Sequence, residues 1–592
     1  MAHWSENSQR LALEQVSICQ LSKLEKPSDE QPAVYLFWLP PTFIQDQTEQ
    51  QISRLTEYCG KLHPNSIIGV LTSPQAAASL LHWFEKQARF QLWVAVKTTP
   101  DVGETAGLPQ THAALLLFSR YNGSLKHTKT RIRYTYCPAC QKTTKDYGGK
   151  KHTYHEYGTL MSDVWRDIEC NPDNDIDKVI DRLRDVFGLE PYSQLYLMDL
   201  RQCEELTSPD VHPNAPSATP TSFSDKTLLT SQLLNGDCLE MLASLPDNSV
   251  DFCFADPPYN LKKKYDRWDD ALESVKYFEW CDQWLTEMYR VLKPGHTLAV
   301  LNIPLWAVRH YQHLASLMRF QDWIVWEALG FPVRMVMPAH YTILCFSKGV
   351  PRPLPGLTPN NKDWADWLEK ESLAPLADDY CLRASCVQRR QRLSKSDREP
   401  LSNCWHDIHR LKHNSRRVDH PCQLPPSLMN RLFAIFTKPG EMILDGFNGA
   451  GTSTLTAQQM NRRYIGIELS TQYHELALQR HELLAAGGNP FGKDDSVPKA
   501  KNSPVQRLSK QKYLVSKKAL QLEVKRIAQV LGRLPNKEEV SQYGKFPIEY
   551  YNQYFVSWGE VCAAARTTGM TELPANQLTA PTQFQLFSSN ND

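Results

Sequence analysis

Apolar residues in this chain come in short dense runs, separated by longer stretches with helical spacing. Ala33–Leu39 (AVYLFWL) and Ala113–Phe118 (AALLLF) are unbroken apolar runs, the pattern of strands covered on both faces. Residues 226–485 repeat the alternation. Strands alternating with helices predict an α/β architecture, mostly a parallel sheet with helices on both sides. A Pro/Ser/Thr-rich stretch (SPDVHPNAPSATPTSFSD) closes the first region, 1–225, as a linker. Residues 486–519 form a loose basic linker. Nine Lys/Arg and one acid lie between Val497 and Arg526, which suits a tether near a polyanion or a simple flexible connection. A small helical module follows at 520–570. Its first helix is expected around Val524–Leu531, with a break at Gly532-Arg-Leu-Pro535. A second helix starts from the N-cap Asn536, with acids in its first turn, and stops at Gly544. Ser557-Trp558 opens a third, and 571–592 is a polar, flexible tail.

Length and charge narrow this picture. At 592 residues the chain needs several cores. Its 66 Lys/Arg and 65 Asp/Glu nearly cancel, which excludes coating nucleic acid by bulk charge but not local basic patches. The 15 cysteines are scattered, no signal pattern opens the chain, and no apolar run reaches membrane-spanning length. The expectation is a cytoplasmic, nucleoid-associated protein with reduced thiols and no membrane partner.

Two segments carry candidate chemistry. Val250-Asp-Phe-Cys-Phe-Ala-Asp256-Pro257-Pro258-Tyr259-Asn260 is an apolar strand ending in an acid, two prolines and an aromatic. Prolines fix the loop, and the carboxyl end of a parallel strand is where such sheets bind ligands. A carboxylate there, with a backbone carbonyl, can accept both N–H bonds of a planar exocyclic amine and draw its nitrogen toward tetrahedral geometry. Tyr259 can stack on the base. The second segment, Met442-Ile-Leu-Asp445-Gly-Phe447-Asn-Gly449-Ala-Gly451-Thr452, is a strand and glycine turn followed by an expected helix. Twenty-three residues after Asp445, a further strand ends in Glu468, a position suited to holding ribose hydroxyls. The glycine spacing differs from GxGxxG, which argues against a nicotinamide cofactor.

Together these residues resemble the DNA amino-methyltransferases of the N6-adenine/N4-cytosine family, in the permuted β group, where the DPPY motif precedes the glycine motif as Asp256 precedes Asp445. The likeness spans about 231–485. Leu234-Asn-Gly-Asp237 matches the family's opening strand and acid, and Trp405-His-Asp-Ile408 its short Trp motif. His420-Pro-Cys-Gln423-Leu-Pro425 matches its His-Pro-Thr-Gln-Lys-Pro segment, with Cys422 and Leu424 replacing the threonine and lysine. The resemblance implies a Rossmann-like fold binding S-adenosylmethionine. Asp237, His420, Gln423, Asp445, Phe447, Gly449, Gly451, Thr452 and Glu468 would bind this co-substrate. Asp256, Pro257, Pro258 and Tyr259 would act on a base flipped out of double-stranded DNA. An aspartate heading the motif favours adenine N6, where a serine would favour cytosine N4. Cytosine N4, or a DNA-binding protein that has lost catalysis, are the alternatives. A restriction or defence partner also fits the resemblance.

The first region echoes the second. Phe37-Trp-Leu39-Pro40-Pro41-Thr42 aligns with Phe254 to Tyr259. Phe90-Gln-Leu-Trp93 aligns with Phe320-Gln-Asp-Trp323, Leu117-Phe-Ser-Arg120 with Cys345 to Lys348, and Ser162 to Ile168 with Ser402 to Ile408. Order is kept and separations drift only from 217 to 240 residues, as insertions into a degenerate second copy would produce. With Leu39 and Thr42 replacing the acid and the aromatic, that copy is expected to be idle. It also carries Cys137-Pro-Ala-Cys140, His152 and His155, a candidate zinc set, although plain reduced thiols fit as well. Tyrosines and lysines interleave nearby, suiting nucleic-acid contact or a solvated loop. Target recognition is expected at about 352–419, where arginines cluster. The 520–570 module is similar to the homing-endonuclease-associated repeat, which implies DNA binding. Gln583-Phe-Gln-Leu586-Phe587 looks like a peptide that binds the sliding clamp.

Overall fold

The computed structural model describes residues 13–15, 32–41, 49–101, 107–119, 130–132, 136–137, 142–143, 159–172, 175–187, 195–201, 229–261, 272–328, 340–357, 386, 392, 401–408, 423–491, 515, 517–555 and 557–562. The apolar runs become strands. In the first unit they are β1 (Leu13–Gln15), β2 (Val34–Trp38), β3 (Ile67–Thr72), β4 (Arg89–Asp101), β5 (Gln110–Ser119), β6 (Arg131–Ile132), β7 (Tyr136–Cys137), β8 (Lys142–Thr143), β9 (Thr159–Leu160), β10 (Val164–Cys170) and β11 (Leu195–Asp199). In the second they are β12 (Gln232–Asn235), β13 (Val250–Ala255), β14 (Leu292–Asn302), β15 (Arg319–Glu327), β16 (His340–Ser347), β17 (Cys404–Trp405), β18 (Met442–Asp445) and β19 (Arg463–Glu468).

Two mixed sheets result, ordered β1-β11-β2-β3-β5-β4-β10 and β12-β19-β18-β13-β14-β16-β15-β17. The parallel expectation therefore needs amendment at β5 and β16, which run antiparallel to both neighbours. In the first unit only the residues from 102 to 109 separate β4 from β5, too few for a crossover helix.

The sheets repeat one another in register. Phe90 pairs with Phe118 and Leu92 with Leu117 across a bulge. In the second unit Phe320 pairs with Phe346 and Asp322 with Cys345 across a bulge at the same place. Val164 faces Ala95 as Cys404 faces Val325. Trp165 Nε1 donates to Ser162 O as Trp405 Nε1 donates to Ser402 O. The degenerate-copy expectation thus reappears as shared topology. The difference is at one end, where β11 alone separates β1 from β2, while both β18 and β19 lie between β12 and β13.

The joint between units has two-fold character. Trp93 stacks on its counterpart Trp323 with centroids 4.0 Å apart and planes 4° from parallel. Ser79 Oγ lies 2.6 Å from Tyr311 Oη. His112 Nδ1 lies 3.1 Å from Asn403 Oδ1, and its counterpart His340 Nδ1 lies 3.0 Å from Asp163 Oδ2. An exchange of equivalent contacts is what an isologous interface requires. One buried cluster takes Phe84, Trp93 and Phe118 together with Leu314, Trp323 and Phe346, so the two units share a core.

The last helices are Lys517–Leu531, Lys537–Tyr543, Ile548–Asn552 and Trp558–Cys562. Asn536 caps the second in a reciprocal capping box with Glu539, and Gly544 ends it, as expected. Two expectations need correction. The first helix begins at Lys517, inside the segment assigned to a linker, because Leu520 joins Val524 and Ile527 on its buried face. An additional helix, Ile548–Asn552, buries Tyr551 in the same small core. Among the described residues no helix is long and apolar enough to cross a membrane.

Candidate active site

β13 is buried along its whole length, which brings Asp256 out at the strand's carboxyl end in the middle of the second sheet. Asn260 takes a left-handed conformation (φ 53°) and turns the chain away. Three donors hold the loop between them. Tyr277 Oη donates to Pro258 O at 2.7 Å, Trp306 Nε1 to Tyr259 O at 2.8 Å, and Asn260 Nδ2 to Leu272 O at 2.8 Å. Tyr259 Oη donates to Asp256 Oδ1 at 2.8 Å, and its ring lies 6.1 Å from that of Tyr341. Among the described residues nothing donates to the Pro257 carbonyl. A rigid loop thus presents a carboxylate and a backbone carbonyl at one point.

β18 lies directly beside β13, with Asp445 opposite Phe254. Asp445 accepts from Phe447 N at 2.8 Å and from Ser453 Oγ. Burial pushes its carboxyl up to about 7 despite those two donors, and the charges of Asp256 and Glu468 add to the rise. The glycine turn follows. Gly449 and Gly451 have φ of 51° and 82°, and a Cβ on Gly451 would stand 3.0 Å from that of Ala477, so both conformation and space ask for glycine. Thr452 then starts the buried helix Thr452–Gln459. Arg480 Nη1 donates to Ala450 O from behind the turn. Phe447 rests on Trp280 and Trp284, centroids 5.7 and 5.1 Å away.

Glu468 ends β19 and accepts from Gly449 N and Ser470 N, both at 2.8 Å. Burial raises its carboxyl above the ordinary range. Asp237 follows β12, whose Asn235 pairs with Glu468, and caps the helix Cys238–Ala243 by accepting from Leu239 N at 2.9 Å. Gln423 stands just ahead of the helix Pro426–Phe436. The carboxyl ends of β12, β19, β18 and β13 therefore gather Asp237, Glu468, Asp445 and Asp256 along one edge. Their negative potential suits a ligand carrying positive charge. His420, Cys140, His152 and His155 lie outside the described residues, as do the linker at 208–225 and most of 352–419. Tyr277, Trp306, Tyr341 and Ser453 were not anticipated. They lie 21 to 197 residues from Asp256, and no spacing rule ties an aromatic on another element to this loop.

The corresponding edge of the first unit is closed. Leu39, in the place of Asp256, is only 1% exposed. The Arg201 guanidinium covers Trp38 at 3.3 Å and is held in both directions by Asp199, at 2.8 and 2.6 Å. With one strand fewer, this edge has no counterpart of the β18–β19 glycine turn among the described residues.

Residues 250–479 match a family described as DNA methylase (N6_N4_Mtase). The chain is 31% identical over 252 residues to the Type II methyltransferase M.BamHI of Bacillus amyloliquefaciens, covering 40% of this chain and 54% of that protein. It is 29% identical over 294 residues to M.HpaI of Haemophilus parainfluenzae, covering 48% and 84%. The chain thus spans about half the length of the first of these relatives. Solved structures similar to it include the PvuII DNA methyltransferase (cytosine-N4-specific), at 18% identity and TM-score 0.30 over 43% of this chain and 86% of that one. Another is the M1.HpyAVI–SAM complex, at 18% identity and TM-score 0.29 over 43% and 99%. By the match over residues 250–479, the second unit of this chain is similar to the DNA methylases of the N6_N4_Mtase family.

Proposed function

We propose that this protein transfers a methyl group from S-adenosylmethionine to the N6 amine of an adenine flipped out of double-stranded DNA. The observation that carries the reading is the adjacency of the Asp256–Tyr259 loop, at the end of β13, to the Asp445 turn on its neighbour β18. Relatives named as Type II methyltransferases support it, as does the order of the two motifs, which fits the permuted β group. Asp445 and Glu468, with Asp237 and Gln423 at the flanks, would hold the co-substrate. It supplies the electrophilic methyl. The chain's own work is alignment and electrostatics. Asp256 and the Pro257 carbonyl accept the two amine N–H bonds, freeing the nitrogen lone pair to face the methyl. Asp256 also stabilises the positive charge that develops on nitrogen before the proton leaves. Tyr259 and Tyr341 offer the flipped base an aromatic wall. The first unit acts as an idle copy that completes the shared core, and the helical module at 517–562 serves as a DNA-contacting accessory. The clamp-like peptide at 583–587 falls outside the described residues.

The decisive experiment expresses the wild-type chain in a methylation-free host and digests its DNA to nucleosides for mass spectrometry. N6-methyladenine is the expected product. N4-methylcytosine would overturn the base, and no modified nucleoside would overturn the activity.

Co-substrate binding should also depend on pH. Asp445 titrates near 7 in the free protein, and a cationic ligand favours its charged form. Below pH 7, binding therefore releases a proton, and affinity rises with pH, by up to about tenfold per unit for a single group, levelling off above about pH 8. Calorimetry in buffers of different ionisation enthalpy measures the proton release directly. Asp445→Asn should abolish the slope. A pH-independent affinity in the wild type would remove Asp445 from the cation's contacts.

A further inference from the structure

Cys137 and Cys386 are 249 residues apart in sequence, yet their sulfurs lie 3.5 Å from each other. Both are buried, at 3% and 2% exposure. A disulfide would bring the sulfurs to about 2.0 Å. Two thiolates on one tetrahedral zinc, each about 2.3 Å from the metal, stand about 3.8 Å apart, close to the separation observed.

The local fold asks for such a staple. Among the described residues β7 and β8 pair as Tyr136↔Thr143 and Cys137↔Lys142, and β6 and β9 as Arg131↔Leu160 and Ile132↔Thr159. Two-residue ribbons bury almost nothing and are not stable alone. Four residues, 138–141, connect β7 to β8, and Cys137-Pro-Ala-Cys140 begins at the last residue of β7. Cys-x2-Cys on such a hairpin is a zinc-knuckle spacing. A second thiol pair, Cys381 and Cys386, is separated by four residues. Cys140 and Cys381 lie outside the described residues, so sequence spacing alone nominates them.

We propose that Cys137 and Cys386 are ligands of one structural zinc ion that ties Cys386 to the first unit. The thiol that meets Cys137 comes from the other half of the chain, while His152 and His155 lie outside the described residues. On binding, each thiol gives its proton to solvent and the sulfur lone pair bonds the metal, so loading is weaker at low pH. No redox change is involved. Because residue 386 sits within the stretch expected to carry target recognition, the idle unit becomes the anchor of that stretch. The site stands independently of the methyl-transfer reading.

The test uses the full-length protein, purified without chelators or a histidine tag and analysed for metals by mass spectrometry. About one zinc per chain is expected. Exchange with cobalt(II) should produce the sulfur-to-cobalt charge-transfer absorption of a tetrahedral thiolate site. Cys137 and Cys386 should resist alkylation until chelator is added and then react together, a readout that needs no variant. Cys386→Ser and Cys137→Ser should each lower zinc retained after dialysis at least tenfold, while Cys59→Ala, at a buried thiol on another helix, leaves it unchanged. Wild-type protein without stoichiometric metal, a Cys137–Cys386 disulfide in peptide mapping, or full zinc in Cys386→Ser would each overturn the proposal.

Discussion

Replacing Asp256 with asparagine is expected to lower the single-turnover rate of methyl transfer by about 10³-fold, within the range seen when one preorganised electrostatic group is removed. The substitution keeps the shape of the side chain and an oxygen for Tyr259 Oη, which donates to Asp256 Oδ1 at 2.8 Å. The loop should stay in place, because Tyr277, Trp306 and Asn260 hold it through its neighbours. What disappears is the negative charge facing the amine nitrogen as it becomes cationic. S-adenosylmethionine affinity should stay within a few fold of wild type, or rise slightly, since Asp256 pushes Asp445 toward its protonated form. Radiolabel transfer in a single turnover and calorimetric titration separate the two effects. A parallel fall in affinity would make Asp256 a co-substrate ligand. A loss under tenfold would remove it from the reaction.

Trp323→Ala should destabilise the protein by about 3–5 kcal/mol, the usual cost of removing a fully buried Trp side chain. The ring lies against Trp93 at 4.0 Å, so the cavity opens in the joint between units rather than inside one of them. Denaturant unfolding followed by far-UV circular dichroism and by backbone exchange in each unit should show both weakened, and Trp93→Ala should act with similar size. The double variant should depart from additivity by more than about 0.5 kcal/mol. Strict additivity, or weakening confined to one unit, would contradict a shared core. Among the described residues both indole N–H groups are buried without an acceptor. Trp323→Phe, which removes an unsatisfied donor while keeping an aromatic face, should therefore cost much less.

Two further features of this molecule follow from the repeated topology. The motif-bearing edge lies in the unit that has both β18 and β19. The other unit, with β11 alone, fills the equivalent place with an aspartate-held arginine over Trp38. A glycine-lined turn needs a strand on each side to point its backbone at a ligand, and losing one strand removes the ledge along with the acid. The first unit nevertheless keeps the half of the sheet that makes the joint, β3, β5, β4 and β10, because that half buries Trp93, Phe118 and His112.

Several parts of the site were legible residue by residue. Asp256 and Glu468 each end an apolar run in the sequence, and each ends a strand or opens the turn after it. Gly449 and Gly451 stand where positive φ demands them, and Asn536 caps the helix its side chain suggested. These features were readable because strand alternation, glycine conformation and capping are local: the residues that carry the signal are within a few positions of their effect. The echo between halves was also legible, because its four short matches keep their order.

Tertiary structure alone decided the rest. That Tyr277 and Trp306 clamp the loop, that Asp445 titrates near 7, that Trp93 meets Trp323, and that Cys137 meets Cys386 all depend on which distant segments share a layer. Spacing along the chain carries no information about such meetings, since burial and long-range pairing arise only once the sheets close over their helices. The sequence by itself thus determined the α/β class, the motif-bearing edge and the presence of a worn copy. Packing determined how rigidly that edge is held, which charges it shifts, and how the two halves are joined.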